Sequence, residues 1–306
     1  MDQLITTAVI PAGGWGTRFL PATKSIPKEM FPMGNKPIIM HVVEECVNSG
    51  IKSIIFIVSH HKQSIESFFS ANVILENYFK ELGKTDQVEQ LQKIFQMAEF
   101  SFVYTKPPYG NGGCLVSARH LLEGKPFVLV WSDELILTRG MPRVKQCMQT
   151  YEKFARPVIS AVKIPDPAKR SAYGMAELRE LQDIPDSEKA TVKEIVRIVE
   201  KPPLGSEPSE FATHGAYILP PNIFTYLDRT SPGKNGDLWL TDIINNMLPE
   251  TGLLAKIIED SIYLDCGNPR DYLLSQIDFA LEYTDYSKDI ENFLVNRAAG
   301  RVSTPE

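Results

Sequence analysis

With 306 residues, 43% of them hydrophobic and 23% charged, the chain has ordinary globular composition and is long enough for one large α/β domain or two smaller ones. Its 19 glycines and 22 prolines are close to average, which excludes collagen-like, coiled-coil and disordered chains. The longest apolar runs, 54–58 and 127–131, fall far short of the ~20 residues a membrane helix needs, and a net charge of −6 argues against nucleic acid as a partner. The start, Met1-Asp2-Gln3-Leu4, has neither a basic stretch nor an apolar core for a secretion signal, so a cytoplasmic protein without membrane contact is expected. Cys46, Cys114, Cys147 and Cys266 form no C-x-x-C pair and are expected to be reduced. The five histidines form no H-E-x-x-H and no zinc set with them.

Residues 6–10 are an apolar run followed by Pro11, Gly13, Gly14 and Gly16, which predicts a buried strand and then a loop. Ile38, Ile39, Val42, Val43, Cys46 and Val47 recur at helical spacing between Pro37 and Gly50, predicting a helix. Strands at 53–58 and 100–104, a helix from after Gly113 to near Gly124, and a strand at 127–131 continue a β-α-β-α-β order. Strands that are apolar throughout fit a sheet covered on both faces. The expected fold class is therefore α/β: a doubly wound, mostly parallel, Rossmann-like mixed sheet with helices on both faces and a helical C-terminal tail. Beyond 131 the alternation loosens. A helix at 144–154 and strands at 157–163, 173–177, 192–199 and 212–219 predict a mixed or antiparallel portion, with polar 182–190 as an exposed loop or hairpin. Asp237 is the expected cap of a helix through 243–247, and a last helix is expected over 271–283. No linker or repeat divides the chain.

The most informative segment is Gly13-Gly14-Trp15-Gly16-Thr17-Arg18, followed by Pro27-Lys28-Glu29. It is neither a P-loop, since no Gly-Lys-Ser/Thr closes it, nor a G-x-G-x-x-G turn, which sets a nicotinamide dehydrogenase far down. Closely spaced glycines after a first strand let backbone N–H groups approach a phosphate chain or base at the carboxyl edge of the sheet. Residues 11–40 also carry Arg18, Lys24, Lys28 and Lys36 against Glu29 alone, so this stretch of an acidic protein suits an anion.

The G-x-G-T-R element with its downstream P-K resembles the signature of the sugar nucleotidyltransferases. The run from Gly16 to Met30 closely resembles the bacterial UTP–glucose-1-phosphate uridylyltransferases within them. The likeness continues, in the same order, through Asn35-Lys36-Pro37-Ile38, Ala172-Tyr173-Gly174, Val199-Glu200-Lys201-Pro202, His214-Gly215-Ala216-Tyr217, Leu240-Thr241-Asp242 and Asp265-Cys266-Gly267-Asn268. It implies transfer of a nucleotidyl group from a nucleoside triphosphate to a sugar 1-phosphate with release of pyrophosphate, with Mg²⁺ as cofactor. It also implies a homo-oligomer, dimer or tetramer. One domain is expected over 1–270, its nucleotide half about 1–133 and its sugar-phosphate half about 134–270, with a tail at 271–306 as a candidate subunit contact. A sugar phosphate has a second pKa near ~6 and attacks without a protein base, so the absence of a Ser-His-Asp set is no obstacle.

The resemblance assigns Arg18, Lys28 and Lys201 to catalysis, and Ala12, Gly13, Gly14, Gly16, Thr17, Glu29, Thr105 and Gly110 to the nucleotide. To the sugar it assigns Asp133, Glu134, Gly174, Glu200, Lys201 and Gly215. Asp133 follows a strand at the carboxyl edge and is the first expected metal ligand; Asp242 is the second, with an acidic charge at a helix N-terminus as its lesser reading. As bare sequence, Glu200-Lys201 also reads as a solvated pair. The chain departs from the uridylyltransferases in the 105–113 loop, with Thr105 where they carry a base-reading Gln and Gly113 where they carry His. Trp15 replaces an aliphatic. The expected activity is UTP with glucose 1-phosphate. The alternatives are dTTP, CTP or ATP, another sugar 1-phosphate, or a weakly catalytic regulatory binder of nucleotide sugars.

Overall fold

A computed structural model describes residues 4–300 except 108, 123, 183, 234 and 235. Pro108 of the 105–113 loop, Asp183 of the polar 182–190 stretch, the start of the chain and the end of the expected tail lie outside the described residues.

The first half runs β1 (Thr7–Ala12), a hairpin β2 (Pro32–Met33) and β3 (Lys36–Pro37), α1 (Ile38–Asn48), β4 (Ser53–Val58), α2 (Gln63–Phe68), α3 (Val73–Glu81), α4 (Thr85–Gln96), β5 (Glu99–Tyr104), α5 (Leu115–Leu122) and β6 (Phe127–Leu129). The second runs β7 (Glu134–Thr138), α6 (Arg143–Phe154), β8 (Val158–Lys163), α7 (Pro167–Arg170), β9 (Gly174–Arg179), α8 (Asp186–Lys189), β10 (Val192–Glu200), β11 (Phe211–Leu219), α9 (Ile223–Arg229), α10 (Leu240–Thr251), β12 (Leu254–Ile257), β13 (Ser261–Asp265), α11 (Pro269–Tyr283) and α12 (Ser287–Ala298).

Nine strands form one sheet in the order β5-β4-β1-β6-β11-β8-β12-β10-β9. The β5-β4-β1-β6 portion is parallel, and the remainder is mixed: β11 runs against β6 and β8, while β12 runs with β8 and against β10. Because successive side chains on a strand point to opposite faces, Ala8, Ile10, Ile54 and Phe56 enter one apolar layer while Val9, Ile55 and Ile57 enter the other. That is why these strands read as unbroken apolar runs. The chain winds from β1 outward through β4 to β5 and then returns to the other side of β1 with β6. This reversal opens a crevice at the carboxyl ends of β1 and β6, the place where open α/β sheets bind ligands.

Four details differ from the expectations. The 127–131 strand ends at Leu129, although the Val130 N–H still donates to Val9 O at 3.0 Å. β12, four residues without alternation, inserts between β8 and β10. Trp239, not Asp237, is the N-cap residue of α10, and the Asn111 side chain supplies the acceptor for the Leu240 N–H at 2.8 Å. Finally, α11 is part of the body. Its Phe279 is buried against Gly34 and His41, and the Tyr272 hydroxyl donates to Pro32 O at 2.6 Å. Helix α12 buries no residue.

Candidate active site

The loops at the carboxyl edge are pinned to one another by short side chains. Ser132 Oγ donates to Pro11 O at 2.7 Å and Ser59 Oγ to Gly13 O at 2.9 Å, which ties the segment after β6 to the end of β1 and the segment after β4 to the glycine loop. Between these ends and the 105–113 loop lies a cavity of about 710 Å³, lined by Ala12, Gly13, Gly14, Lys28, Glu29, Thr105, Gly110 and Asp133 among others. Two of its glycines are required by close approach. A Cβ on Gly13 would meet the Thr105 methyl at 2.7 Å, and one on Gly110, at φ 98°, would clash with Leu238 O. The loop is held there by the N–H groups of Gly112 and Gly113, which both donate to Leu238 O. Gly16, Thr17 and Arg18 do not line this cavity. Gly16 takes the left-handed conformation that starts the turn Thr17–Phe19, and Arg18 Nη1 reaches Gly267 O at 3.5 Å.

Lys28 and Glu29 form two linked ion pairs. Lys28 Nζ pairs with Asp133 Oδ2, and Lys62 Nζ donates to both Glu29 oxygens at 2.8 and 2.9 Å. Burial pulls the Lys28 pKa down, but the carboxylates of Asp133 and Glu29 outweigh it and the net shift is upward, so Lys28 remains a cation. Glu29 and Lys62 are each only 1% exposed at the side chain. Burial pushes Glu29 up and Lys62 down. Both Glu29 oxygens are thus engaged beneath the cavity, which makes the pair a floor. Lys62→Met is expected to cost about 3–5 kcal/mol of unfolding free energy, because it strands a buried carboxylate. Replacing Glu29 by Leu in the same chain should recover most of this loss. Urea denaturation of the single and double variants measures both, and an unmoved midpoint for Lys62→Met would mean that the pair bears no weight.

A second cavity of about 240 Å³ adjoins the first, with Asp133, Trp131 and Asn111 lining both. It also holds Glu134, Gly174, Glu200, Lys201, Tyr173, Thr213, His214 and Thr241. Glu200 and Lys201 stand at the end of β10. Thr241 Oγ1 donates to Glu200 Oε2 at 3.0 Å, and Lys201 Nζ lies 3.6 Å from Glu200 Oε1 and 5.4 Å from the Trp239 ring centre. Lys201 adopts φ 46°, a left-handed conformation that a non-glycine residue keeps only where its surroundings impose it; here its N–H donates to Tyr173 O at 3.0 Å. A Cβ on Gly174 would sit 3.1 Å from Thr213 Oγ1 and 3.2 Å from Glu200 Oε2, so glycine leaves that wall open. Gly215 lies outside this cavity, in an irregularity of β11 where the β8 pairing skips from His214 to Tyr217. The buried Ser160 bridges that irregularity: its hydroxyl donates to His214 O and accepts from the Ala216 N–H.

Asp242, the second expected metal ligand, stands apart from both cavities. It is exposed on the first turn of α10 and lines neither cavity, because Leu240, Thr241, Ile243, Ile244 and Met247 form the buried face and the helical period turns Asp242 outward. A carboxylate that does stand beside Asp133 is Asp265, at the end of β13. Around Gly267 the two converge: a Cβ there would be 3.1 Å from Asp265 Oδ1 and 3.7 Å from Asp133 Oδ2, and the Cys266 N–H donates to Asp133 O at 3.3 Å. In the sequence Asp265 stands only in the family-like run Asp265-Cys266-Gly267-Asn268. Among the described residues no group of three or more His, Cys, Asp or Glu is arranged to hold a metal. Two carboxylates nevertheless fit Mg²⁺, which takes one or two from the protein and completes its shell with phosphate oxygens and water.

Other residues of the site had no role assigned from the sequence. Asn111 and Trp131 stand at the junction of the cavities, Tyr109 lines the larger one, and at its mouth Trp15 stacks on His61 with ring centres 4.3 Å apart. None of the described helices is long and apolar enough to cross a membrane.

Residues 7–280 match the family model described as nucleotidyl transferase. The UTP–glucose-1-phosphate uridylyltransferase of Staphylococcus epidermidis is 33% identical over 290 residues, covering 95% of this chain and 97% of that one. That of Bacillus subtilis (strain 168) is 32% identical over 302 residues, 99% of each. A UTP-bound UGPase from Acinetobacter baumannii superposes with a TM-score of 0.83 at 28% identity, covering 95% of this chain and 99% of that one. With a family model matched over most of its length and relatives aligned nearly end to end, this chain belongs to the nucleotidyl transferase family.

Proposed function

We propose that this chain condenses UTP with glucose 1-phosphate to give UDP-glucose and pyrophosphate. The observation that carries the reading is the pair of adjoining cavities with Asp133, Trp131 and Asn111 in both walls. A triphosphate over the glycine loop and a sugar phosphate beside Glu200 and Lys201 would meet at Asp133. The names of the relatives support UTP and glucose 1-phosphate as the substrates.

The chemistry asks the protein for positioning and charge, not for a base, since a sugar phosphate is largely dianionic at neutral pH. Lys201 is placed to hold the sugar phosphate and Lys28 to neutralise the reacting phosphates. Arg18, exposed and reaching toward the Gly267 turn, is placed to meet the leaving pyrophosphate. Asp133 and Asp265 would hold Mg²⁺, which supplies charge neutralisation at the reacting phosphates when bound. The glycine backbone at Gly13 and Gly14 is open to the base and ribose. The exposed apolar side chains Leu273, Leu274 and Ile277 on α11, with Phe293 and Val295 on α12, support a homo-oligomer built through these helices, which sedimentation measures.

Pyrophosphate release from a matrix of nucleoside triphosphates and sugar 1-phosphates tests the reading. UTP with glucose 1-phosphate is expected to react fastest, and binding without release of pyrophosphate would leave only the regulatory alternative. Thr105 turns its methyl toward Gly13 and offers one short hydroxyl where an amide could donate and accept at once. Base discrimination is therefore expected to be loose, with dTTP the nearest competitor, since one methyl is worth only ~1–3 kcal/mol. Thr105→Gln should sharpen the preference for UTP; a wild type already strict for UTP and unmoved by this change would place base reading on another residue.

A further inference from the structure

His214 is 1% exposed on β11, its ring against Tyr263, with centres 4.3 Å apart, and edge-on to Tyr173 at 5.1 Å. Its Nδ1 donates to Glu134 Oε2 at 3.2 Å, whereas its Nε2 is buried with no hydrogen-bond partner among the described residues. An aliphatic side chain of similar size would fill the same space without leaving a nitrogen unpaired, so packing does not account for an imidazole here. The bond to Glu134 does. Glu134 heads β7 directly after Asp133, and β7 pairs with β13 so that Glu134 stands opposite Asp265. Both Glu134 and His214 line the smaller cavity. With Oε2 engaged by His214, Oε1 is the acceptor that Glu134 has left for a ligand.

We infer that His214 is a positioning residue that holds Glu134 as an acceptor for a sugar hydroxyl, so that the choice of hexose rests on two carboxylates, Glu134 and Glu200, entering the cavity from different strands. The inference rests on the smaller cavity being the sugar site. A carboxylate aimed at a hydroxyl selects strongly, because a substrate lacking that hydroxyl leaves a charged acceptor unpaired in a partly buried place. Glu200 is oriented by Thr241, and Glu134 by His214. Each carboxylate therefore has its own support and reads its own hydroxyl.

The test uses UTP with glucose 1-phosphate and its 2-, 3-, 4- and 6-deoxy analogues, each followed by pyrophosphate release. In the wild type, removal of the hydroxyl facing Glu134 should lower kcat/KM by about 10- to 100-fold. In Glu134→Gln that penalty should shrink several-fold at one position only, while the position read by Glu200 keeps its own. His214→Leu should reproduce the change. His214→Asn, whose amide nitrogen reaches the place of Nδ1, should restore the wild-type pattern, and the KM for UTP should stay constant throughout. The inference is overturned if every deoxy penalty is the same in wild type and Glu134→Gln, or if the His214 variants depress all sugars equally and raise the KM for UTP with them. Failure of the wild type to turn over glucose 1-phosphate at all would instead sink the proposed reaction, and this inference with it.

Discussion

Asp133→Asn is expected to lower kcat by about 10²–10³-fold and to raise the Mg²⁺ concentration needed for half-maximal rate, with the fold intact. The asparagine keeps the shape of the side chain and removes the charge at the point where the two cavities share a wall. It also releases Lys28 from its ion pair. Asp265→Asn should shift the Mg²⁺ requirement in the same direction, since its carboxylate shares the Gly267 turn with Asp133. Asp242→Asn should leave both rate and Mg²⁺ requirement where they are, because that side chain faces solvent on α10. Initial rates of pyrophosphate release across a Mg²⁺ titration, with a thermal melt to confirm folding, decide the matter. If Asp242→Asn loses as much as Asp133→Asn, the second carboxylate belongs to α10 after all.

Lys28→Ala should lower turnover at least ~100-fold, as loss of a charge partner of the transition state does. Lys28→Arg should recover only part of this, because a planar guanidinium cannot occupy the position of a compact ammonium against Asp133. The effect should appear in kcat more than in the KM for UTP, since Gly13 and Gly14 hold the base side of the cavity independently. The ion pair also contributes to stability. The Lys28 pKa is raised from 10.5 in the folded protein, so that contribution is complete below pH 10.5 and is lost as pH rises through the higher folded value. Lys28→Ala should accordingly unfold at a pH-independent deficit between pH 7 and 9. A folded Lys28→Ala protein with near wild-type turnover would remove this lysine from the reaction.

How much of this was legible in the chain depends on the range of the forces involved. The parallel half was readable because Val9, Ile54, Phe56 and their neighbours are apolar on both faces of the sheet, and because Gly16 and Gly50 punctuate the elements with left-handed turns. The outward position of Asp242 has a local cause. The spacing of Leu240, Ile243, Ile244 and Met247 already defines the buried face of α10, and Asp242 falls off it. The place of Asp265 beside Asp133 has a long-range cause. The β7–β13 ribbon that presents it joins segments more than a hundred residues apart, so nothing within 261–265 marks it as a strand bordering the site. His214 reads as one more residue of an apolar strand until its neighbours in space are known.

By itself the sequence determined the strand and helix periodicity, the glycine loop after β1, Asp133 just beyond an apolar strand, and the likeness to nucleotidyl transferases. Each of these is written in spacing over a few residues, where backbone geometry and turn chemistry act. Only the tertiary structure decided the partners of the charged groups: Lys28 with Asp133 across 105 positions, Lys62 with Glu29 across 33, His214 with Glu134 across 80, and Arg18 with the Gly267 carbonyl across 249. The reason is physical. A side chain's charge, burial and hydrogen bonds depend on which loops the sheet order brings to a common edge, and a lysine is a solvated cation or a buried strut according to what stands a few ångströms away.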